Sequence, residues 1–153
     1  MSLRKVAFRI APVLSVLALA ACASSGLSTP QKLELYRAHA GEPVLSFHFF
    51  GRLTGWTPLG EDALAVWTKP SEAWLLELTG RCPDLDFASA ISLTSNQNRV
   101  HARFDKVIPL GSGAHAMPCH IARIHPLDAR ALRTAERELR EGEVVPAQSA
   151  EGT

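Results

Sequence analysis

The chain has 153 residues, of which 46% are hydrophobic and 20% charged, and its formal net charge is +1. This length suits one domain with a buried core. The near-neutral balance provides no basic excess to hold phosphate backbones, which argues against a nucleic-acid partner.

The N-terminal segment has the layout of a signal peptide. Arg4, Lys5 and Arg9 are followed by residues 10–23, which carry no charged side chain. A basic start, a short apolar run and small residues at its end are typical of a secretory signal. A retained transmembrane helix needs about 20 apolar residues, whereas small polar residues follow directly here. We therefore predict a signal peptide over residues 1–21.

The last residues of this segment are Leu19, Ala20, Ala21 and Cys22, which resemble the lipobox of bacterial lipoproteins at all four positions. The resemblance implies cleavage before Cys22, lipid on its thiol, and acylation of the new amino group, with palmitate as a typical acyl chain. Two or three such chains make a stable membrane anchor. Lipoproteins of the inner membrane often carry Asp where this chain has Ala23, so the resemblance favours the outer membrane, facing the periplasm.

Two cysteines remain once Cys22 is assigned to lipid. Removal of residues 1–21 leaves 132 residues with 13 Lys and Arg against 15 Asp and Glu, and with no Lys/Arg cluster to prefer anionic lipid. In an oxidising compartment, Cys82 and Cys119 are an even pair, for which we predict a disulfide. The alternative is a reactive thiol pair, but redox pairs favour C-x-x-C spacing.

The first half of the predicted domain is a helix followed by strands. Residues 22–29 suit a short tether, and Thr29 with Pro30 predicts the start of a helix over residues 30–40. The strand at residues 44–53 alternates, so that one face holds four apolar side chains: Leu45, Phe47, Phe49 and Leu53. Residues 63–68 and 73–79 then predict a hairpin.

The second half continues with short strands and ends in a helix. Strands at residues 87–94 and 99–104 flank a turn, and strands at 107–110 and 119–124 are joined by a flexible segment, 111–118. A helix follows from Pro126 to Glu141 and stops at Gly142. This order predicts an α+β fold over residues 30–142, with an antiparallel sheet that can curl into a small partly open barrel, and a disordered tail over 143–153.

Several strings of the chain carry a second resemblance: AGEPVLSFHF, Trp56, DALAVWT, AWLLEL, RCPDL, FDKV and CHIARIHPLD. This set is similar to a family of small Gram-negative lipoproteins that share a domain of unknown function. It covers about residues 40–132. The resemblance supports the domain limits and the pairing of Cys82 with Cys119, and it implies no catalytic residues.

Two clusters raise the question of metal or acid–base chemistry. His115, Cys119, His120 and His125 lie within eleven residues, and His/Cys clusters can ligate zinc or copper. In a strand, however, Cys119 and His120 point to opposite faces, and a disulfide removes the thiolate. Surface histidines beside a structural cysteine are therefore the favoured interpretation.

The carboxylates and serines offer no reaction either. Asp84 and Asp86 follow a cysteine and a proline, where acids usually form turns. The chain lacks G-x-S-x-G, and GSG at residues 111–113 has no strand-to-helix elbow. We predict neither a cofactor, nor a bound metal, nor enzymatic activity.

The three tryptophans are the remaining candidates for binding. Trp67 and Trp74 fall within predicted strands and suit core or cross-strand packing, whereas Trp56 follows a predicted turn and is the candidate ligand contact. The leading hypothesis is a lipid-anchored periplasmic protein that is structural or binds an envelope protein. The alternatives are a binder of small apolar ligands or lipids in the curved sheet, and a metal-binding or hydrolytic role of the histidines.

Overall fold

The computed structural model describes residues 26–111 and 117–143, which form two helices and eight strands. The elements are α1 (Thr29–Ala38), β1 (Ser46–His48), β2 (Gly55–Pro58), β3 (Ala63–Lys69), β4 (Glu72–Leu78), β5 (Ala90–Leu93), β6 (Arg99–His101), β7 (Lys106–Leu110), β8 (Cys119–Leu127) and α2 (Ala129–Glu143). The predicted signal peptide, Cys22, His115 and the tail beyond residue 143 lie outside the described residues. In the part of the chain described, no helix is both long and apolar enough to cross a bilayer.

The strands form an antiparallel sheet of six, in the order β2-β3-β4-β8-β7-β5, and a separate pair, β1-β6. The six-stranded sheet is not closed on itself. The predicted α+β class with an antiparallel sheet is therefore confirmed, and the sheet is open.

The central hairpin, β3 with β4, is buried on both faces. Its register sets Ala65 opposite Leu75 and Val66 opposite Trp74, and successive side chains in a strand point to opposite faces. One face carries the three alanines Ala63, Ala65 and Ala73 together with Leu75, and the helices pack on it; the side chains of the other face pack beneath β1 and β6. Small residues on the first face allow the helices to approach closely.

The two helices are fixed to each other and to the end of β8. The Tyr36 hydroxyl on α1 donates a hydrogen bond of 2.8 Å to the Glu136 carboxylate on α2. Burial and this acidic neighbour raise the pKa of Tyr36 above its ordinary value. The helix predicted to begin at Pro126 begins instead at Ala129, because β8 runs on to Leu127 and Asp128 then accepts hydrogen bonds from two backbone N–H groups of the first turn.

The strand predicted over residues 44–53 is much shorter than expected. The Val44 N–H donates to the Ile124 carbonyl of β8, and only the following Ser46–His48 pairs with β6. The alternation of buried and exposed side chains therefore does not extend to the residues before β1. Phe47 and Phe49 are buried as predicted, but Leu45 is 86% exposed.

The second predicted hairpin is correct at its turn and wrong in its pairing. Gln97 and Asn98 have φ angles of 49° and 58°, which are typical of a tight turn between strands. The flanking strands nevertheless enter different sheets, since β5 pairs with β7 and β6 pairs with β1. The strand predicted to reach Phe104 ends at His101, where the chain turns.

The predicted disulfide is confirmed. Cys82 follows β4 and is fully buried, and it is bonded to Cys119 at the start of β8 with the Cα atoms 5.9 Å apart. The Cys82 N–H also donates to the Glu61 carbonyl. The bond thus joins the loop after β4 to β8.

We expect the double variant Cys82→Ala/Cys119→Ala to lose about 3 to 4 kcal/mol of unfolding free energy, because the cross-link restricts the unfolded chain over a loop of this length. Urea unfolding of the oxidised protein and the variant, each retaining Cys22, measures the difference. An unchanged midpoint and slope would contradict this stabilising role.

Candidate docking surface

Asp105 is the one polar or charged residue that is buried among the described residues, and it organises the turn after β6. Its Oδ1 accepts a hydrogen bond of 2.6 Å from the Thr94 hydroxyl, and its Oδ2 accepts one of 2.7 Å from the His101 N–H. A buried carboxylate satisfied in this way rigidifies its surroundings.

The turn that Asp105 fixes points two large side chains outward. Arg103 has a φ of 70°, in the left-handed region that costs most residues about 1 kcal/mol or more. Its N–H donates to the Ile121 carbonyl at 2.7 Å, and the Ile121 N–H donates back to the Asp105 carbonyl at 3.0 Å. These bonds hold the turn against β8, while the next residue, Phe104, is 81% exposed.

Leu45 and Phe104 are the two most exposed of the large hydrophobic side chains described, and they line the same groove of about 400 Å³. The Ala102 N–H donates to the Leu45 carbonyl, which joins the two sides of the groove. We call it the Leu45–Phe104 groove; its lining includes Val44, Leu45, His101, Arg103, Phe104 and Arg123. Exposed apolar side chains gathered at one place mark interaction sites.

The rim of this groove is basic. Arg103 and Arg123 both line it, and among the described residues no carboxylate does. Arg123 is oriented by Glu77, whose Oε2 accepts a hydrogen bond of 2.5 Å from the Arg123 Nε. The surface therefore combines two apolar side chains with two guanidinium groups.

Glu77 also binds helix α1 to the sheet. Its Oε1 accepts from the Arg37 guanidinium of α1 at 3.2 Å, and the His125 Nε2 lies 3.6 Å from its Oε2. Burial alone would raise the pKa of Glu77, but the hydrogen bonds and positive charges of Arg123 and Arg37 outweigh it, so the pKa lies below its ordinary value. This carboxylate is an ionised structural partner rather than a proton acceptor near neutral pH.

The described members of the candidate His/Cys cluster have separate roles and environments. Cys119 is in the disulfide, His120 is exposed, and the Nδ1 of His125 lies 2.9 Å from the Gly41 carbonyl. Within residues 26–111 and 117–143, no group of three or more His, Cys, Asp or Glu residues is placed to hold a metal ion. The carboxylates considered for acid–base chemistry, Asp84 and Asp86, lie on either side of the buried Leu85; Asp84 is half-buried and Asp86 is exposed.

The three tryptophans lie away from the groove. Trp56 is in the edge strand β2 rather than a turn, half-buried against the core beneath β1 and β6. Trp74 stacks on Phe47 with ring centroids 4.9 Å apart, and Trp67 meets the edge of Tyr36 on the helix face. The sequence pattern does not predict the groove, because the alternation predicts a buried Leu45 and a strand that runs through Phe104.

Comparison with known proteins gives a family without a known activity. Residues 5–143 match a family of unknown function (DUF6491). No curated protein and no solved structure matches the chain.

The lowered pKa of Glu77 predicts how stability depends on pH. Such a group stabilises the fold above its unfolded pKa, near 4.5, and this contribution disappears as the pH falls through the lower folded value. We expect Glu77→Gln to be about 1 to 2 kcal/mol less stable than the parent protein at pH 7, with the difference shrinking towards pH 3.

Urea unfolding at a series of pH values measures this effect. Glu34→Gln is the matched control, because Glu34 is exposed and contacts only the Nη1 of Arg37, whereas Glu77 accepts from the Nη2. Parallel stability curves for the parent protein and Glu77→Gln between pH 7 and 3 would refute the assignment.

Proposed function

For a chain that belongs to DUF6491, a family of unknown function, we propose a role as a lipid-anchored, non-enzymatic protein of the bacterial envelope that binds a partner protein. Lipid on Cys22 holds it in the outer membrane on the periplasmic side. The Leu45–Phe104 groove is the docking surface.

The anchor is supported by residues 1–23. A basic start, a short apolar run and the lipobox-like residues before Cys22 occur together and in the expected order. The family match begins at residue 5, so this segment belongs to the matched region. The disulfide between Cys82 and Cys119 is consistent with an oxidising compartment such as the periplasm.

The observation that carries the docking role is the exposure of Leu45 and Phe104 on one rigid groove. Each large apolar side chain that a partner covers contributes about 1.5 to 3 kcal/mol, and a turn held by Asp105 loses little conformational freedom on binding. The partner that fits places an apolar side chain between Leu45 and Phe104 and a carboxylate beside Arg103.

Two carboxylates that are shielded from solvent support a non-enzymatic role, because their oxygens are already engaged in holding the fold. Glu77 accepts from two arginines, and Asp105 accepts from Thr94 and the His101 backbone. Both faces of the central hairpin are also filled by packed side chains. This packing favours a protein partner over a small ligand held within the sheet.

The anchor is tested by Cys22→Ser. We expect the parent protein to be found in the membrane fraction, with an intact mass equal to residues 22–153 plus acyl groups. The variant should lose both the lipid mass and the cleavage before residue 22. A Cys22→Ser protein that still carries lipid would contradict the proposal.

The docking surface is tested by photo-crosslinking in intact cells, with benzoylphenylalanine at position 45 or at position 87. Phe87 is the matched control, because it is 79% exposed and does not line the groove. We expect an adduct of defined mass from position 45 only, with the attachment mapped to a partner segment containing Asp or Glu. Adding Arg103→Glu should reduce its yield about tenfold, equivalent to about 1.4 kcal/mol of binding.

Equal crosslinking from positions 45 and 87, or a yield unaffected by Arg103→Glu, would overturn the docking role. The Arg103 side chain makes no ion pair within the described residues, and only its backbone holds the turn, so we expect Arg103→Glu to leave the unfolding midpoint unchanged. The midpoint of each variant is measured alongside the crosslinking. A normal midpoint assigns any loss of crosslinking to the surface.

A further inference from the structure

We infer that the groove between the start of α1 and the end of α2 is a membrane-facing surface that contacts phospholipid headgroups. This inference rests on the proposed lipid anchor at Cys22 and adds an orientation to it. The groove has a volume of about 570 Å³ and is distinct from the Leu45–Phe104 groove.

The groove brings together residues from the two ends of the domain. Leu27, Lys32 and Leu35 line it from the α1 side, and Leu139 and Arg140 line it from α2. Lys32 and Arg140 are 108 positions apart, which is why the sequence showed no basic cluster. We call this surface the α1–α2 groove.

The short connection to Cys22 determines where this groove lies. Four residue steps separate Cys22 from Gly26, the first described residue on the groove. A fully extended chain covers at most about 3.6 Å per residue, so the connection spans no more than about 14 Å. A lipid on Cys22 would keep the α1–α2 groove within that distance of the headgroup layer, which is itself several Å thick.

The chemistry of the groove matches a headgroup layer. Leu27 and Leu139 are 39% and 44% exposed. Large apolar side chains on a surface that lies against a membrane insert at the boundary between the headgroups and the acyl chains. Among the described residues, neither Lys32 nor Arg140 makes an ion pair with a carboxylate. The one acid of the lining, Glu136, accepts the Tyr36 hydroxyl.

Two cations beside two exposed leucines therefore fit the phosphates and the outer acyl carbons of a phospholipid. Each basic side chain near an anionic surface contributes about 1 kcal/mol. That is too little to recruit a protein from solution, but an anchored chain is already at the membrane, and the same contribution then selects one orientation. The lipid anchor therefore provides the affinity for the membrane, and the groove determines the orientation of the domain on it.

The test uses the complete lipidated protein, purified in detergent micelles and reconstituted into vesicles of phosphatidylethanolamine and phosphatidylglycerol at a molar ratio of 7:3. Amide hydrogen exchange is followed over residues 27–35 and 136–141. We expect exchange to be at least threefold slower in vesicles than in micelles at these segments, with no change around Phe104.

The variant Lys32→Glu/Arg140→Glu should abolish that protection. Arg52→Glu/Arg130→Glu is the matched control, because it makes the same change in net charge at exposed positions outside the groove. Protection that the control variant abolishes equally, or that neither variant changes, would refute the orientation.

Intact mass separates this result from failure of the anchor. A purified chain without lipid on Cys22 contradicts the proposed function, whereas a lipidated chain with equal exchange in vesicles and micelles contradicts only the inference. Protection that depends on protein concentration identifies a second copy as the occupant. Protection that persists in micelles and disappears on deletion of residues 144–153 identifies the C-terminal segment; either result overturns the assignment to phospholipid.

Discussion

The rest of this structure depends on a single constraint, the burial of both faces of the hairpin formed by β3 and β4. Alternation along these strands sends Ala63, Ala65 and Ala73 to one side and Leu64, Val66 and Leu76 to the other. The three alanines of the first side leave room for the helices, while the second side fills the space beneath β1 and β6. A sheet open at its edges is stable here because neither face of its centre is exposed to water.

This arrangement also decides which polar groups carry structure. Glu77 lies on the helix face of β4, opposite Ala63 of β3. Arg37 of α1 and Arg123 of β8 both contact its carboxylate. Asp105 performs a similar task at the turn after β6. Both carboxylates hold elements in place, and the groove-lining side chains Arg103, Leu45 and Phe104 are not engaged by either of them.

Much of the fold could be predicted from periodicity and spacing. The hairpin of β3 and β4, both helices, the disulfide and the antiparallel α+β class follow from local patterns that extend over several residues. The docking surface could not be predicted in this way. Leu45 continues the alternation of Phe47 and Phe49 in the sequence, and its exposure arises only because Val44 pairs with Ile124, a residue 80 positions away.

The predicted turn before Arg99 shows the same division between local and non-local information. Gln97 and Asn98 accept left-handed backbone angles, so the turn forms where the sequence indicates. Its two strands nevertheless join different sheets, since β5 pairs with β7 and β6 pairs with β1, and these partners lie at other places in the chain.

The sequence by itself determined the chemistry carried by single residues and short runs: the lipobox-like segment before Cys22, the even cysteine pair, the amphipathic helices and the two-faced central strands. Only the tertiary structure decided which distant side chains meet. It placed Leu45 and Phe104 on one groove, and Lys32 and Arg140 on another. Periodicity fixes the face on which a side chain lies, but strand pairing and helix packing fix its neighbours, and a binding surface consists of neighbours.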